Sequence, residues 1–266
     1  MITSRSNPSV KRIRELRHRK HREESGLFVV EGIRLVGEAA EMRAEVETVV
    51  VAPDLLQSQY AHVSTERLRS RGAELLEVSA DVFRSLSSRD GPQGIAAVLP
   101  QRWDTLDNIE PGSELCWVAL EAVQDPGNLG SILRTADAVG AGGVFLLGPT
   151  TDPFDPAAVR ASMGAILSQR VVRASVAELA AWKERHDAFV VGTSDSGSVE
   201  YTTIAYRSPT VLLMGSEREG LHPDQRAVSD LVARIPMVGH SDSLNLSVAT
   251  GVMLYEIFNQ RRLSGG

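Results

Sequence analysis

From about residue 114 onward, short apolar runs alternate with polar segments marked by glycine and proline. Residues 115–123, 144–147, 170–173, 189–192, 211–214 and 231–235 are rich in Val, Leu, Ile and Phe and read as buried strands. Helical patterns fall between them, after Asn128, over 156–167 and over 176–185. The last helix is the clearest. Val248/Val252, Ala249/Met253/Ile257 and Leu254/Phe258 repeat at four-residue spacing up to Arg262 and give a wide apolar face. Strand–helix alternation of this kind predicts an α/β domain built on a parallel sheet.

The first hundred residues show a smaller version of the pattern. Asn7-Pro8 reads as a cap followed by proline at the first helical position, opening a helix to about Arg22. Val10, Ile13 and Leu16 form a thin apolar stripe, and Lys11, Arg12, Arg14, Arg17, Arg19, Lys20 and Arg22 cover the rest as a surface suited to phosphates. Strands are expected at 28–30, 46–51, 73–78 and 95–99. Helices are expected at 33–42 and, capped by Asp54, up to about Arg71, in a compact and mostly parallel sheet. Glu31 with Arg34, and the run from Arg89 to Gly94, are polar clusters in loops that ordinary turn chemistry or a partner would explain. Residues 101–113 are polar and proline-bounded and read as an interdomain linker. The expected organisation is therefore a domain over 1–100, a linker over 101–113 and a larger domain over 114–266.

Totals narrow the class. The chain has 266 residues, 42% of them hydrophobic, which suffices for two cores. No run approaches the ~18 apolar residues of a membrane span, and the basic N-terminus has no apolar signal region, so a cytoplasmic protein is expected. The single cysteine, Cys116, lies in an apolar run as an inert thiol, which excludes internal disulfides; no metal is expected. The net charge of −6 hides an asymmetry. Residues 1–25 hold eight Lys/Arg against three Glu, leaving 20 basic and 31 acidic residues elsewhere. A basic arm on an acidic body suits a polyanion, although a solvated tail would look the same.

Three polar segments follow predicted strands. The first is Gln124-Asp125-Pro126-Gly127-Asn128-Leu129-Gly130, a turn with Asn128 as helix cap and Arg134 in the second turn, near enough to share the strand-end surface. It is neither a dinucleotide fingerprint nor a P-loop, because the required glycines and Gly-Lys pair are absent. The second is Gly215-x-Glu217-x-x-Gly220, a tight loop with a carboxylate. The third runs from Pro236, which cannot continue a ladder, to Ser241, Asp242, Ser243 and Asn245, all good cap residues for the last helix. Open α/β sheets bind ligands at such strand ends.

Taken together, Asn128-x-Gly130-x-x-x-Arg134, Gly215-x-Glu217-x-x-Gly220 and Ile235-Pro236-Met237 with Ser243-Leu244-Asn245-Leu246-Ser247 closely resemble the SpoU/TrmH family of RNA ribose 2′-O-methyltransferases, in the SPOUT superfamily. The match covers essentially all of 114–262. Phe28-Val29-Val30-Glu31-Gly32 and Pro92-Gln93-Gly94-Ile95-Ala96 resemble that family's N-terminal, L30e-like substrate-binding domain. The resemblance implies a C-terminal α/β trefoil-knot methyltransferase domain that binds S-adenosylmethionine and pairs as a homodimer. It implies Asn128, Arg134, Glu217, Ser243 and Asn245 as active-site residues, and Thr193, Met214, Gly215, Gly220, Ile235, Met237 and Leu244 as the cofactor site. Arg160 would be a further phosphate contact. Arg218 stands where the family often has a small or neutral residue. The implied substrate is RNA, with 23S rRNA favoured over tRNA. The alternative is a tRNA 2′-O-methyltransferase, with a non-catalytic RNA-binding protein behind it; a nucleotide-cofactor oxidoreductase lacks its glycine fingerprint.

Overall fold

The computed structural model describes residues 1–241 and 243–264; Asp242, one of the cap candidates, lies outside the described residues. The chain divides into two compact units. The first is Met1–Gln101 with Asp152–Ser168, and the second is Arg102–Thr151 with Gln169–Gly266.

In the first unit, Asn7 caps α1 (Pro8–Glu15) by accepting from the Ser9 N–H at 2.9 Å. The helix then stops, and α2 (Arg19–Ser25) starts afresh. Arg22 explains why one helix does not continue to it. Its side chain is 1% exposed, and its guanidinium donates to the carbonyls of Leu16 (3.0 Å) and Arg17 (2.8 Å) and to Asp152 (2.7 Å). Those two carbonyls would otherwise accept from the next helical turn. Arg22 is thus an internal cation, not part of a phosphate-facing surface. Arg17 is also spent internally, on the carbonyls of Ser85 and Ser87.

The sheet of this unit contains β1 (Leu27–Glu31), β2 (Thr48–Val51), β3 (Glu74–Glu77) and β4 (Ile95–Pro100), in the order β1-β4-β2-β3. Only β2 and β3 pair in parallel; β4 runs antiparallel to both β1 and β2. The mostly parallel sheet expected from alternation is therefore incorrect. Alternation records spacing, not the direction in which the last strand enters. Helices α3 (Ile33–Glu41) and α4 (Gln59–Arg69) flank the sheet, and α5 (Ala80–Leu86), which the pattern did not reveal, precedes β4. Ser58, not Asp54, caps α4. The excursion Asp152–Ser168 carries a seven-residue helix, Pro156–Ser162, and a separate 3-10 turn, Ala165–Leu167. Met163 and Gly164 take left-handed backbone angles between them and end the longer helix that was expected. Phe154 packs on Phe28, with ring centres 4.8 Å apart.

The second unit is a seven-stranded sheet in which every registered pair is parallel. Its strands are β5 (Trp117–Glu121), β6 (Gly143–Leu147), β7 (Arg170–Ala174), β8 (Phe189–Thr193), β9 (Val199–Glu200), β10 (Thr210–Met214) and β11 (Leu231–Arg234), in the order β7-β6-β5-β10-β8-β11-β9. With the excursion's helix counted as α7, the helices are α6 (Pro126–Ala138), α8 (Val176–His186), α9 (Pro223–Val228) and α10 (Leu246–Leu263). The sequence pattern missed the short β9 and α9. On one sheet face Trp117 stacks on Phe145 at 4.9 Å and Phe145 meets Trp182 edge-on at 5.4 Å. Each buried aromatic removes on the order of 150–250 Å² from water, about 4–6 kcal/mol at ~25 cal/mol per Å² before entropy is counted. Residues 102–113 belong to this core rather than hanging free: Ile109 is fully buried, and its carbonyl accepts from the Trp182 indole at 2.9 Å. α10 lies against α6 and β10. Among the described residues no helix is long and apolar enough to cross a membrane.

Candidate active site at the carboxyl edge of the second sheet

β5, β10, β8 and β11 are neighbours, and their registers bring Leu120, Met214, Thr193 and Ala233 to one edge. The loops leaving those ends enclose a cleft of about 1000 Å³.

The first loop is set by Asp125. It caps α6 by accepting from the Asn128 N–H at 2.7 Å, with Pro126 at the first helical position. The cap is therefore Asp125 and not Asn128, as the sequence had suggested. That displacement matters, because Asn128 sits inside the first turn with its carboxamide uncommitted to the helix. The second loop closes on itself. Ser216 and Gly220 exchange backbone hydrogen bonds at 2.9 and 3.1 Å, and Gly220 has a φ of +67°. A side chain on Gly215 would strike the Gly220 backbone, so only glycine closes this loop. The closed loop holds Glu217 against α6. The third loop ends at Asn245, which caps α10 by accepting from the N–H groups of Ser247 (3.0 Å) and Val248 (3.3 Å).

One polar chain joins the three. Asn245 donates through Nδ2 to Asn128 Oδ1 at 3.0 Å, and Asn128 donates through its own Nδ2 to Glu217 Oε1. Read from α10, every amide points the same way. The N–H groups of the helix start polarise Asn245, which polarises Asn128, and a carboxylate ends the line.

Of the residues singled out in the sequence, Asn128, Thr193, Met214, Gly215, Glu217, Gly220, Ile235, Met237, Ser243, Leu244 and Asn245 line the cleft. Arg134 does not. It is exposed, and among the described residues it has no hydrogen-bond or ion-pair partner. Six helical residues separate it from Asn128, about 9 Å along the axis and about 240° around it, so the two cannot share one face of α6. Arg160 also lies elsewhere, in the first unit, where it donates to Ser88 Oγ at 2.7 Å.

Sequence reasoning missed part of the lining. Ser194, Asp195 and Ser196 follow β8, and Arg226 of α9 donates to Ser194 (3.1 Å) and Ser196 (3.3 Å). A Ser-Asp-Ser-Gly turn after an apolar strand was a legible signal; Arg226, thirty residues on, carried none. Glu121, ending β5, stays outside the lining, and burial raises its carboxyl above the ordinary range, partly opposed by His222.

The lining pairs apolar Ile235, Met237, Leu244, Ala233 and Ala249 with Asp125, Asp195, Glu217 and Glu219, against only Arg218 and Arg226. This donor set fits S-adenosylmethionine. The apolar residues suit its adenine, and the carboxylate excess suits a group bearing sulfonium and ammonium charges. Among the described residues no cluster of His, Cys, Asp and Glu is placed to hold a metal.

An all-parallel sheet with a loop-lined cleft at its carboxyl edge, in a chain that also carries a small mixed α/β unit, defines a two-domain methyltransferase of the SpoU type. The chain belongs to the SpoU rRNA methylase family, whose model matches residues 116–255, and residues 7–97 match an MRM3-like substrate binding domain. It is similar over 98% of its length to 97% of an AdoMet-bound rRNA methyltransferase from Sinorhizobium meliloti, with 40% identity and a TM-score of 0.90. It is 33% identical to the 23S rRNA (uridine(2479)-2'-O)-methyltransferase of Streptomyces viridochromogenes, over 92% of this chain and 87% of the relative. It is 28% identical to the 23S rRNA (guanosine(2553)-2'-O)-methyltransferase RlmP of Bacillus subtilis, over 96% and 98%.

Proposed function

We propose that this protein is an S-adenosylmethionine-dependent ribose 2′-O-methyltransferase acting on 23S rRNA, and hence a cytoplasmic enzyme. The observation that carries the reading is the chain from Asn245 through Asn128 to Glu217 inside the cleft. The near full-length similarity to two enzymes named for 2′-O-methylation of 23S rRNA supports both the reaction and the substrate.

The cofactor supplies a methyl carbon already made electrophilic by its sulfonium. The protein has to hold a ribose hydroxyl in line with that carbon, so that the O–C bond would form as the C–S bond breaks and the hydroxyl proton passes to solvent. Positioning alone is worth up to ~7–11 kcal/mol in favourable cases. The main-chain groups around Met214, Gly215, Ile235 and Leu244, with Thr193, Gly220 and Met237 beside them, hold the cofactor. Asn128, fixed on both sides by Asn245 and Glu217, orients the ribose, and Ser243 shapes the same edge. Arg134 serves as a cation, not as a base, because a guanidinium does not deprotonate in proteins. Standing outside the cleft that holds Asn128, it orients a phosphate of the substrate. Among the described residues its guanidinium has no partner, which supports a role toward the substrate.

Two further features belong to this reading. The C-terminal segment passes through the loops of the sheet edge as a trefoil knot, which the convergence of the 215–220 and 235–245 loops on one cleft supports. The enzyme pairs through α10, where Val248 and Tyr255 stand more than half exposed and Leu244 lies close by in sequence. A second copy of the chain would cover this apolar row.

The test is transfer of labelled methyl from S-adenosylmethionine to deproteinised 23S rRNA, followed by digestion to nucleosides. The expected product is one 2′-O-methylated nucleoside. Label on a base, or none with folded protein, would overturn the reading.

A further inference from the structure

The first unit contains a polar structure that the methyl-transfer site does not use. Glu31, at the end of β1, is 8% exposed. Its carboxylate accepts from the hydroxyl of Ser87, from the backbone N–H of Ser88 at 2.9 Å and from the Ser88 hydroxyl at 3.3 Å. Gln93 adds a second tie by accepting from the Ile33 N–H at 3.0 Å. Gly94, with a φ of +75°, returns the chain to β4 and accepts from the Ala52 N–H at 2.8 Å. The loop from Ser87 to Gly94 is therefore pinned at both ends.

Two guanidinium groups are mounted on it. The Arg89 backbone is tied to the Ser87 hydroxyl, but its exposed guanidinium has no hydrogen-bond or ion-pair partner among the described residues, and it lies over Gly32. Any side chain at Gly32 would come within 3.1 Å of its Nη1, besides being strained at a φ of +106°. Arg160 reaches the same loop from the Asp152–Ser168 excursion and is fixed by the Ser88 hydroxyl at 2.7 Å. Ser88 thus links the buried carboxylate on one side to an arginine on the other. Arg34, one turn away on α3, pairs with Glu38 at 3.0 Å and leaves most of its side chain in solvent. The carboxylate closest in sequence, Asp90, is exposed, while Glu31 is consumed by the loop.

We infer that Arg89 and Arg160, held on the Glu31-pinned loop, form a site for phosphates of the RNA backbone, separate from the methyl-transfer cleft. The inference rests on the reading of the protein as an RNA methyltransferase and adds where its substrate is gripped. Guanidinium forks match phosphate oxygens in geometry, and anchoring lowers the entropy lost on contact. The loop contains no aromatic residue between Ser87 and Gly94, so it offers no stacking platform for a base. The contact is with backbone phosphate, and it positions the RNA without reading its sequence. It also gives the excursion a purpose. A segment that the family model counts within the methylase leaves that unit, supplies one arginine to the RNA grip and returns.

The experiment measures binding of full-length protein to deproteinised 23S rRNA over a range of KCl concentrations. Each phosphate contact contributes about 0.7–0.9 to the slope of log affinity against log salt. The double variant Arg89→Ala/Arg160→Ala should lose about 1.4–1.8 of that slope and bind at least tenfold more weakly at low salt. Its affinity for S-adenosylmethionine, measured by calorimetry, should not change. Arg89→Lys/Arg160→Lys should restore most of the slope, and Arg84→Ala, on an ordinary surface pair with Asp81, should leave it alone. An unchanged slope in the folded double variant would overturn the site, as would parallel loss of cofactor binding. Wild type that binds the RNA with this slope yet transfers no methyl would defeat the enzymatic reading and leave the phosphate site standing.

Discussion

Asn245 donates its carboxamide to Asn128 across 3.0 Å, although 117 positions separate them in the chain. The bond ties the start of α10 to the start of α6, and Glu217 receives the other end of Asn128. Each side chain fixes its neighbour, so the three loops form a single unit.

Asn128→Ala should therefore act as a loss of positioning. A misplacement of about 1 Å can cost on the order of 100-fold in rate, and a fall of that size in single-turnover methyl transfer is expected while the protein stays folded. Asn245→Ala should show the same fall together with a stability loss of about 1 kcal/mol, because it also strips the α10 cap. Urea denaturation separates the two effects, and a wild-type rate in Asn128→Ala would remove the positioning role.

Arg134→Ala should abolish transfer to RNA and leave cofactor affinity as in the wild type, since Arg134 does not line the cleft. Calorimetry with S-adenosylmethionine alone checks the second half. Loss of cofactor binding would mean that Arg134 works through the cofactor after all.

Arg22→Ala should be among the most damaging changes in the first unit. It leaves Asp152, itself 5% exposed, without its partner and uncovers the carbonyls of Leu16 and Arg17. Breaking one side of a buried pair costs about 3–5 kcal/mol. Equilibrium denaturation showing less than about 1 kcal/mol would contradict the buried pairing.

Cys116 sets a pH dependence. Burial pushes its thiol up to about 12, with Arg261 opposing slightly. An acid whose folded value lies above its unfolded value of about 8.5 stabilises the fold fully below the unfolded value and loses that contribution as pH rises toward 12. Stability should fall above about pH 8.5, and the fall should be smaller in Cys116→Ala. Thiol reagents at pH 8 should modify the native protein only as fast as it unfolds.

Tyr255→Glu should convert a dimer to a monomer, because it places a charge in the exposed apolar row of α10. Light scattering coupled to size-exclusion chromatography reads the mass directly. A wild type that runs as a monomer at micromolar concentration would end the dimer proposal.

The sequence by itself determined the order of the longer strands and helices in the second unit, because burial on both sheet faces writes continuous apolar runs and α10 writes a four-residue repeat. It also picked out three of the loops that line the cleft, since polar residues gathered at strand ends have few other uses there. It did not determine directions or faces. The β4 strand entered antiparallel, Arg22 turned inward to close α1, and Asp125 took the cap that left Asn128 free for Asn245 and Glu217. Arg134 shared a motif with Asn128 but not a helix face. Arg160 joined Ser88 in the other unit. Local pattern fixes period and burial, whereas pairing between distant polar groups depends on where the folded backbone brings them, and that is decided only when the whole sheet and its loops are assembled.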